Sequence, residues 1–259
     1  MGKFDGILIA SDWDGTLYYE GQLFEENIKA IRYFQENGGK FTVCSGRYYN
    51  FLKKFSDDIE INTYTVCYNG AYIVDMKTDE VMYEGFCDDY IYTIIDNLIS
   101  LGLNYKWISF YTSSDEQPLQ YEIEDYVNIK QRMQKKKCYK VLLRSDTPEH
   151  AEKGVEAANS MDLRDYIAVR SWNVSLEIMK KENAKGAAIR RIADKLGSSL
   201  VVAVGDYEND LEMIRAADIG YAVDNAVDTL KTEADRITVH ANKSAIAKII
   251  EDIEKEFCK

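Results

Sequence analysis

Residues 7–16 read Ile7-Leu8-Ile9-Ala10-Ser11-Asp12-Trp13-Asp14-Gly15-Thr16, an apolar run that leads directly into two carboxylates. Short apolar runs with β-branched members predict a buried strand. Asp12 and Asp14 are two positions apart, so extended backbone directs both side chains to the same side. Gly15 then permits a sharp turn. The pattern predicts two carboxylates at the carboxyl end of a strand, where open α/β sheets bind their ligands.

Two carboxylates this close repel each other unless a cation joins them or one of them holds a proton. A hard divalent metal ion with oxygen ligands would remove the conflict. A calcium loop is excluded, because Thr16, Leu17 and Leu23 stand where such a loop needs a ligand, a glycine and a glutamate. A plain turn remains the alternative for this segment taken alone.

The composition restricts the class of protein. The chain has 259 residues, 46% of them hydrophobic, and a net charge of -12. This charge argues against nucleic acid and anionic membrane as partners, although a cleft can still be locally positive. The five cysteines are scattered and odd in number, which favours free thiols in a reducing compartment. No signal peptide or membrane segment is recognisable, and no protein partner is evident, so we expect a cytoplasmic protein.

Strand and helix patterns alternate in the first and last parts of the chain. Strands predicted at Lys40–Cys44 and Tyr64–Cys67 follow helical segments, and the alternation resumes after Asn183. This rhythm predicts an α/β fold, a Rossmann-like core with a parallel sheet and helices on both faces. The stretch between reads as an inserted α+β module with an irregular segment at Ser113–Lys137. We predict a core domain from residues 1–84 and 182–259, and an inserted domain from residues 85–181.

Three further segments place polar residues where strands end or helices begin. Ser45 and Gly46 follow the second strand, and there a hydroxyl and backbone N–H groups can approach a phosphate. Asp206, Asn209 and Asp210 follow the last fully apolar strand and can complete a hard-metal site. Taken alone, Ser45 is an ordinary loop residue, and the two aspartates could cap a helix. Their convergence at one edge of a sheet favours a site.

Lys185 begins the helix that re-enters the core and can offer its ammonium group to phosphate. Taken alone, it could equally be a solvated charge at a helix end. Neither a Walker loop nor a Gly-x-Gly-x-x-Gly motif is present. The two histidines, His150 and His240, lie away from these motifs, so acid–base chemistry would fall to carboxylates.

These segments resemble the ordered motifs of the haloacid dehalogenase superfamily of phosphatases, specifically its Cof-like members with a type IIB cap. Asp12-Trp13-Asp14-Gly15-Thr16 resembles the first motif, and Ser45-Gly46-Arg47 the second. Lys185-Gly186 resembles the third motif, and residues 205–210 the fourth. Asn69-Gly70-Ala71 and Asn225-Ala226 are supporting matches. The resemblance spans nearly the whole chain and implies that the inserted domain is a cap.

The resemblance also implies roles for these residues. Asp12 would be the nucleophile that forms an aspartyl phosphate, and Asp14 the general acid and base. Mg²⁺ would be bound by Asp12, by the backbone carbonyl of Asp14 and by Asp206, with Asn209 or Asp210 bound directly or through water. The phosphate would be bound by Ser45, Gly46 and Lys185. Arg47 is a weaker candidate, with a structural role as its alternative.

The resulting expectation is a Mg²⁺-dependent phosphatase of small phosphorylated metabolites such as sugar phosphates. A sugar phosphomutase on a related capped fold is the first alternative. A second alternative is a phosphometabolite-binding or regulatory protein without turnover, since a fold alone does not establish catalysis.

Overall fold

The computed structural model describes residues 2–113 and 117–258. Its strands are β1 (Ile7–Asp12), β2 (Tyr18–Tyr19), β3 (Gln22–Leu23), β4 (Lys40–Cys44), β5 (Thr65–Cys67), β6 (Tyr72–Val74), β7 (Val81–Glu84), β8 (Tyr105–Tyr111), β9 (Leu119–Glu122), β10 (Lys140–Ser145), β11 (Tyr166–Trp172), β12 (Ser175–Lys180), β13 (Leu200–Gly205), β14 (Ile219–Ala222) and β15 (Arg236–Ile237). Its α-helices are α1 (Glu25–Glu36), α2 (Tyr49–Lys53), α3 (Tyr90–Ser100), α4 (Tyr126–Met133), α5 (Pro148–Asn159), α6 (Lys185–Leu196), α7 (Leu211–Ala216), α8 (Asp228–Glu233) and α9 (Ala245–Phe257).

The larger sheet has the strand order β15-β14-β13-β1-β4-β5-β6-β7. β1 lies at its centre and pairs in parallel with β13 and β4, while β6 and β7 form an antiparallel edge. All six residues of β1 are buried, as expected for a strand covered on both faces. Helices cover both faces of the sheet, and α1 contacts α9 while α6 contacts α7. The predicted parallel-sheet core is therefore confirmed.

The second sheet has the order β11-β12-β10-β8-β9, and all of its strand pairs are antiparallel. Helices α3, α4 and α5 bury apolar side chains in a second hydrophobic cluster, which is separate from that of the larger sheet. Thr147 caps α5 by accepting a hydrogen bond from the backbone N–H of His150 at 3.2 Å, as its sequence position predicts. The predicted α+β module is thus confirmed, while its boundaries at residues 85 and 181 stay a prediction.

The segment Ser113–Lys137 is less irregular than the sequence indicated. It contains β9, which pairs with β8, and the helix α4, which buries Tyr126, Ile129 and Met133. These three side chains follow helical spacing, but the many charged residues between them obscure the pattern. The interpretation as an irregular insertion was wrong for β9 and α4, and residues 114–116 of that prediction lie outside the described residues. Among the helices that the structure describes, none is long and apolar enough to cross a membrane.

Candidate active site

Four polar segments meet at the carboxyl edge of the larger sheet. β1 and β13 are adjacent parallel strands, so Asp12 at the end of β1 lies beside the loop that carries Asp206. β4 pairs with β1 on the other side and brings Ser45 to the same edge. Lys185, the first residue of α6, reaches the same edge and contacts Asp12. The topology therefore brings together residues that are far apart in the chain, since Asp12 and Asp210 are separated by 198 positions.

Lys185 lies between two buried carboxylates. Its Nζ is 2.5 Å from Oδ1 of Asp12 and 2.6 Å from Oδ1 of Asp210. All three side chains are buried, and Lys185 and Asp210 have no exposed surface. Burial lowers the pKa of Lys185, but the charges of Asp12 and Asp210 outweigh this effect and raise its pKa above the ordinary value. Lys185 therefore keeps a positive charge at the base of the site.

Negative charge nevertheless exceeds positive charge here. Oxygen atoms of Asp12, Asp206 and Asp210 all lie within 4.8 Å of one another. Burial raises the pKa of Asp12 well above its ordinary value, and although Lys185 lowers it, Asp210 and Asp206 raise it further. Burial and the charge of Asp210 raise the pKa of Asp206 to about 7. One lysine does not balance three carboxylates, and the all-oxygen donor set fits a hard divalent cation.

The three site residues predicted in the loop after β13 are Asp206, Asn209 and Asp210, and they have different surroundings. Asp210 binds the loop itself, since its Oδ2 accepts the backbone N–H groups of Asp206 at 3.0 Å and Tyr207 at 3.2 Å. Its other oxygen binds Lys185, so Asp210 is engaged on both sides. Asp206 accepts a side-chain hydrogen bond from Thr16 at 3.2 Å and lines the cavity together with Asn209. Asp206 is consequently better placed than Asp210 to bind a cation directly.

Asp14 does not belong to the carboxylate cluster of the described residues. Its carboxylate accepts two hydrogen bonds from Arg47, from Nε to Oδ2 and from Nη2 to Oδ1, each 2.8 Å long. The Asp14 side chain is 45% exposed, in contrast to the buried Asp12. The two aspartates of the first motif therefore occupy different environments, one fixed by a buried lysine and the other by a partly exposed arginine.

The loop after β4 surrounds the cluster on another side. Ser45 is buried, and its Oγ accepts the backbone N–H of Arg47 at 3.1 Å. Gly46 and Arg47 line the cavity, as do Asp12 and Asp14. The predicted phosphate-binding residues Ser45, Gly46 and Lys185 thus lie around the same carboxylates, with Lys185 in direct contact.

The structure explains why position 15 is a glycine, which the sequence indicated only in part. Its φ of +86° favours glycine, and a Cβ atom at this position would lie 2.2 Å from Oδ2 of Asp206. Asn225 holds the same turn, since its Nδ2 donates to the Gly15 carbonyl at 2.8 Å. The turn after β1 is therefore shaped so that Asp206 can approach Asp12.

A cavity of about 600 Å³ opens above these residues. Its floor comes from the larger sheet and includes Asp12, Asp14 and Asp206. Its roof comes from the inserted module, whose lining residues are Tyr111, Leu142, Ser171, Trp172, Ser175 and Glu177. A small molecule in this cavity would contact both parts of the chain.

Three residue pairs join the inserted module to the core around this cavity. Arg170 of β11 binds Glu208 through two hydrogen bonds, and Tyr207 donates from its hydroxyl to Oδ1 of Asn173 at 3.0 Å. On the other side, Nδ2 of Asn69 donates to Oε2 of Glu177 at 2.5 Å. The loop that carries Asp206 is thus held by the module above it.

Sequence reasoning did not identify Arg170, Glu177 or Glu208 as residues of the site. Nothing local distinguishes them, because their partners lie 37 to 108 positions away in the chain. Asn69 carried a usable signal, because the segment Asn69-Gly70-Ala71 is a supporting motif match that follows β5 at the same edge of the sheet. In the structure its φ of 62° marks a constrained turn.

A model of the haloacid dehalogenase-like hydrolase family matches residues 9–250. Among curated proteins, 5-amino-6-(5-phospho-D-ribitylamino)uracil phosphatase YcsE of Bacillus subtilis is 27% identical over 257 residues, covering 94% of each chain. Among solved structures, a haloacid dehalogenase-like hydrolase from B. subtilis is 24% identical, with a TM-score of 0.79 over 94% of this chain and 98% of that chain. The HAD subclass IIB sugar phosphatase BT4131 is 19% identical, with a TM-score of 0.75 over 95% of this chain and 98% of that chain. The structural likeness extends over both sheets.

Proposed function

Because this chain belongs to the haloacid dehalogenase-like hydrolase family, we propose that it is a Mg²⁺-dependent phosphatase of small phosphorylated metabolites, with sugar or polyol phosphates as the substrate class. One observation carries the proposal. Asp12, at the end of the central strand, and Asp206 line the floor of a cavity that the inserted module covers, and Lys185 and Asp210 are buried directly against them. A curated relative is named as a phosphatase of a ribityl phosphate, which supports the polyol class.

In the proposed reaction, Asp12 attacks phosphorus and forms an aspartyl phosphate while the bond from phosphorus to the ester oxygen breaks. Asp14 enters this step protonated, still accepts from Arg47 through its remaining lone pairs, and gives its proton to the departing alkoxide. Asp14 then takes a proton from water, whose oxygen attacks phosphorus and releases inorganic phosphate and free Asp12. The proton therefore returns to Asp14, and the net reaction consumes one water molecule.

The chain's own cations support this chemistry. Lys185 lies 2.5 Å from Asp12, close enough to fix the nucleophile and to bind a phosphoryl oxygen beside it. Gly46 supplies its backbone N–H and Ser45 its hydroxyl group to the phosphate, while the Ser45 N–H binds the Val66 carbonyl at 2.9 Å. Asp12, Asp206 and the backbone carbonyl of Asp14 would hold Mg²⁺, with Asn209 or Asp210 bound directly or through water. When bound, Mg²⁺ would neutralise charge so that an anionic carboxylate can approach an anionic phosphate.

Release of inorganic phosphate from a panel of phosphomonoesters, with Mg²⁺ and with a chelator, tests the proposal. We expect release that depends on Mg²⁺ and is lost in Asp12→Asn. A strict requirement for a sugar bisphosphate would instead support the phosphomutase. Folded protein that hydrolyses none of the panel would contradict both enzymes and support the binding protein.

A further inference from the structure

The roof of the cavity contains a buried ion pair. Glu177 of β12 is 3% exposed, and its Oε1 accepts a hydrogen bond from Nζ of Lys140 at 2.6 Å. Lys140 is 1% exposed and lies close to the phosphate-binding loop, since a Cβ atom on Gly46 would be 3.1 Å from its Nζ. Burial of two charges costs free energy that an apolar pair would not, so the pair contributes little to folding. Its position beside the proposed phosphate site suggests a role in binding.

Glu177 is fixed from both sides of the cavity. Lys140 holds one oxygen from the inserted module, and Asn69 of the core holds the other at 2.5 Å. Each carboxylate oxygen has two lone pairs, so two acceptor positions remain unused by these hydrogen bonds. Since Glu177 also lines the cavity, these positions are available to a donor on a bound molecule.

Among the described roof residues that line the cavity, two have ionisable side chains: the carboxylate of Glu177 and the phenol of Tyr111. Three basic side chains nearby already bind carboxylates: Lys140 binds Glu177, Arg170 binds Glu208, and Arg47 binds Asp14. Arg144 lies over the ring of Trp172, 5.4 Å from its centroid. A second anionic group that bound Lys140, Arg170 or Arg47 would have to disrupt one of the three pairs. A neutral hydroxyl group could donate to Glu177 without disturbing any of them.

An ammonium group fits Glu177 less well than a hydroxyl group. Lys140 already supplies one positive charge at 2.6 Å, and a second cation would repel it in a buried setting. The neighbouring Ser171 and Ser175 are neutral and can donate or accept hydrogen bonds. The exposed ring of Trp172 adds an apolar wall. This combination suits a carbon chain that carries several hydroxyl groups.

We propose that Glu177 determines substrate specificity by accepting a hydrogen bond from a hydroxyl group of the leaving alcohol. The cavity thereby selects monophosphates of neutral, hydroxylated alcohols over alkyl phosphates and over bisphosphates. This inference rests on the proposed phosphatase function and names its substrate class more narrowly.

The test compares alditol monophosphates of three to six carbons with alkyl monophosphates of the same length. For each pair, the ratio of the two kcat/KM values reports recognition of the hydroxyl groups. We expect the wild-type protein to prefer the best alditol phosphate, and Glu177→Gln to lower that ratio by about tenfold or more. Glu124→Gln, an exposed glutamate of the inserted module, serves as the matched control and should keep the wild-type ratio. An unchanged ratio in Glu177→Gln, or a wild-type preference for fructose 1,6-bisphosphate over fructose 1-phosphate, would overturn the proposal.

A second variant guards against misfolding. Glu177→Gln leaves the buried ammonium of Lys140 without its counter-charge, whereas Lys140→Met/Glu177→Gln removes both charges and is better tolerated. The double variant should show the same loss of the alditol preference, and a wild-type ratio in it would also contradict the role of Glu177. Hydrolysis of p-nitrophenyl phosphate by the wild-type protein reports the phosphatase function separately. If that hydrolysis is present while the alditol preference is absent, only the specificity proposal fails.

Discussion

Arg47 and Asp14 form a bidentate ion pair at the edge of the active-site cavity, with two parallel hydrogen bonds of 2.8 Å. The guanidinium group also stacks over the ring of Phe51, with 4.6 Å between the guanidinium carbon and the ring centroid. Asp14 follows Asp12 by two residues, yet this pair holds its carboxylate apart from the carboxylate cluster of the described residues. We therefore propose that Arg47 positions the carboxyl group of Asp14, the proposed acid–base group.

Replacement of Arg47 by lysine should lower kcat by about tenfold while KM changes little. Lysine keeps the charge but cannot make both hydrogen bonds, so Asp14 loses its fixed orientation. General acid–base catalysis contributes roughly 10²- to 10⁴-fold, and a poorly oriented acid forfeits part of this. Steady-state kinetics of Arg47→Lys and of Arg32→Lys, an exposed control on α1, measure the effect. A normal kcat in Arg47→Lys would assign Arg47 a purely structural role.

Asp12→Asn should abolish turnover, with a loss on the order of 10⁴-fold or more, as expected for a nucleophile. The same change should stabilise the metal-free protein. Burial, Asp210 and Asp206 raise the pKa of Asp12, so its negative charge disfavours the folded state near neutral pH. Phosphate release and thermal denaturation in chelator provide the two measurements.

Asp14→Asn is the matched comparison for this experiment. It should also impair turnover, but it should not raise the melting temperature, because Asp14 lies outside the cluster and loses its hydrogen-bonded pair with Arg47. Comparable turnover rates in Asp12→Asn and wild type would remove Asp12 as the nucleophile.

The stability of the metal-free protein should fall as the pH rises from about 4 to about 7. Asp206 has a folded-state pKa of about 7 against an ordinary value of 3.8. Within this window the folded protein still holds a proton that the unfolded chain has released, so raising the pH favours unfolding. Mg²⁺ binds the deprotonated carboxylates and competes with that proton. The rise in melting temperature on adding Mg²⁺ should therefore be larger at about pH 8 than at about pH 6.

Asp206→Asn provides the control for this pH dependence. It should flatten the change in metal-free stability between about pH 4 and pH 7, and it should reduce the Mg²⁺-induced rise in melting temperature. If wild type and variant show the same two pH profiles, Asp206 neither titrates in this window nor binds the metal.

The ion pair of Arg170 and Glu208 should hold the inserted module against the loop after β13 that carries Asp206. Both side chains are largely buried, at 17% and 15% exposure, and Nε of Arg170 lies 2.8 Å from Oε2 of Glu208. Removing one partner leaves a buried, unpaired charge, so each of Arg170→Gln and Glu208→Gln should lower kcat/KM by about tenfold. The double variant should lose no more than either single variant.

The exposed pair of Lys153 and Glu149 on α5 offers a control cycle, with side chains 53% and 73% exposed. Its coupling in kcat/KM should be close to zero, because exposed ion pairs contribute little. Additive losses in the cycle of Arg170 and Glu208 would show that the two residues act independently.

Elements whose signals are local could be predicted from the sequence. The apolar run before Asp12 predicts the buried strand β1, and the strand predicted at Lys40–Cys44 is β4 with the same bounds. Thr147 followed by Pro148 predicts the start of α5. Such signals act over a few residues, through side-chain direction, capping and turn geometry, and survive in any tertiary context. The helix α4 escaped prediction because its apolar positions are few and surrounded by charge.

The sequence by itself determined which residues gather at the sheet edge. Parallel strands share a direction, so polar residues at the ends of β1, β4 and β13 must meet at one edge, as Asp12 and Asp206 do. Lys185, at the start of α6, reaches the same edge and binds Asp12. Only the tertiary structure decided which side chains pair with one another around this edge. The pairing of Arg47 with Asp14, and of Glu177 with both Lys140 and Asn69, joins segments that no local pattern relates. Those contacts depend on how the inserted module lies on the core, which long-range packing and charge pairing settle rather than any periodicity in the chain.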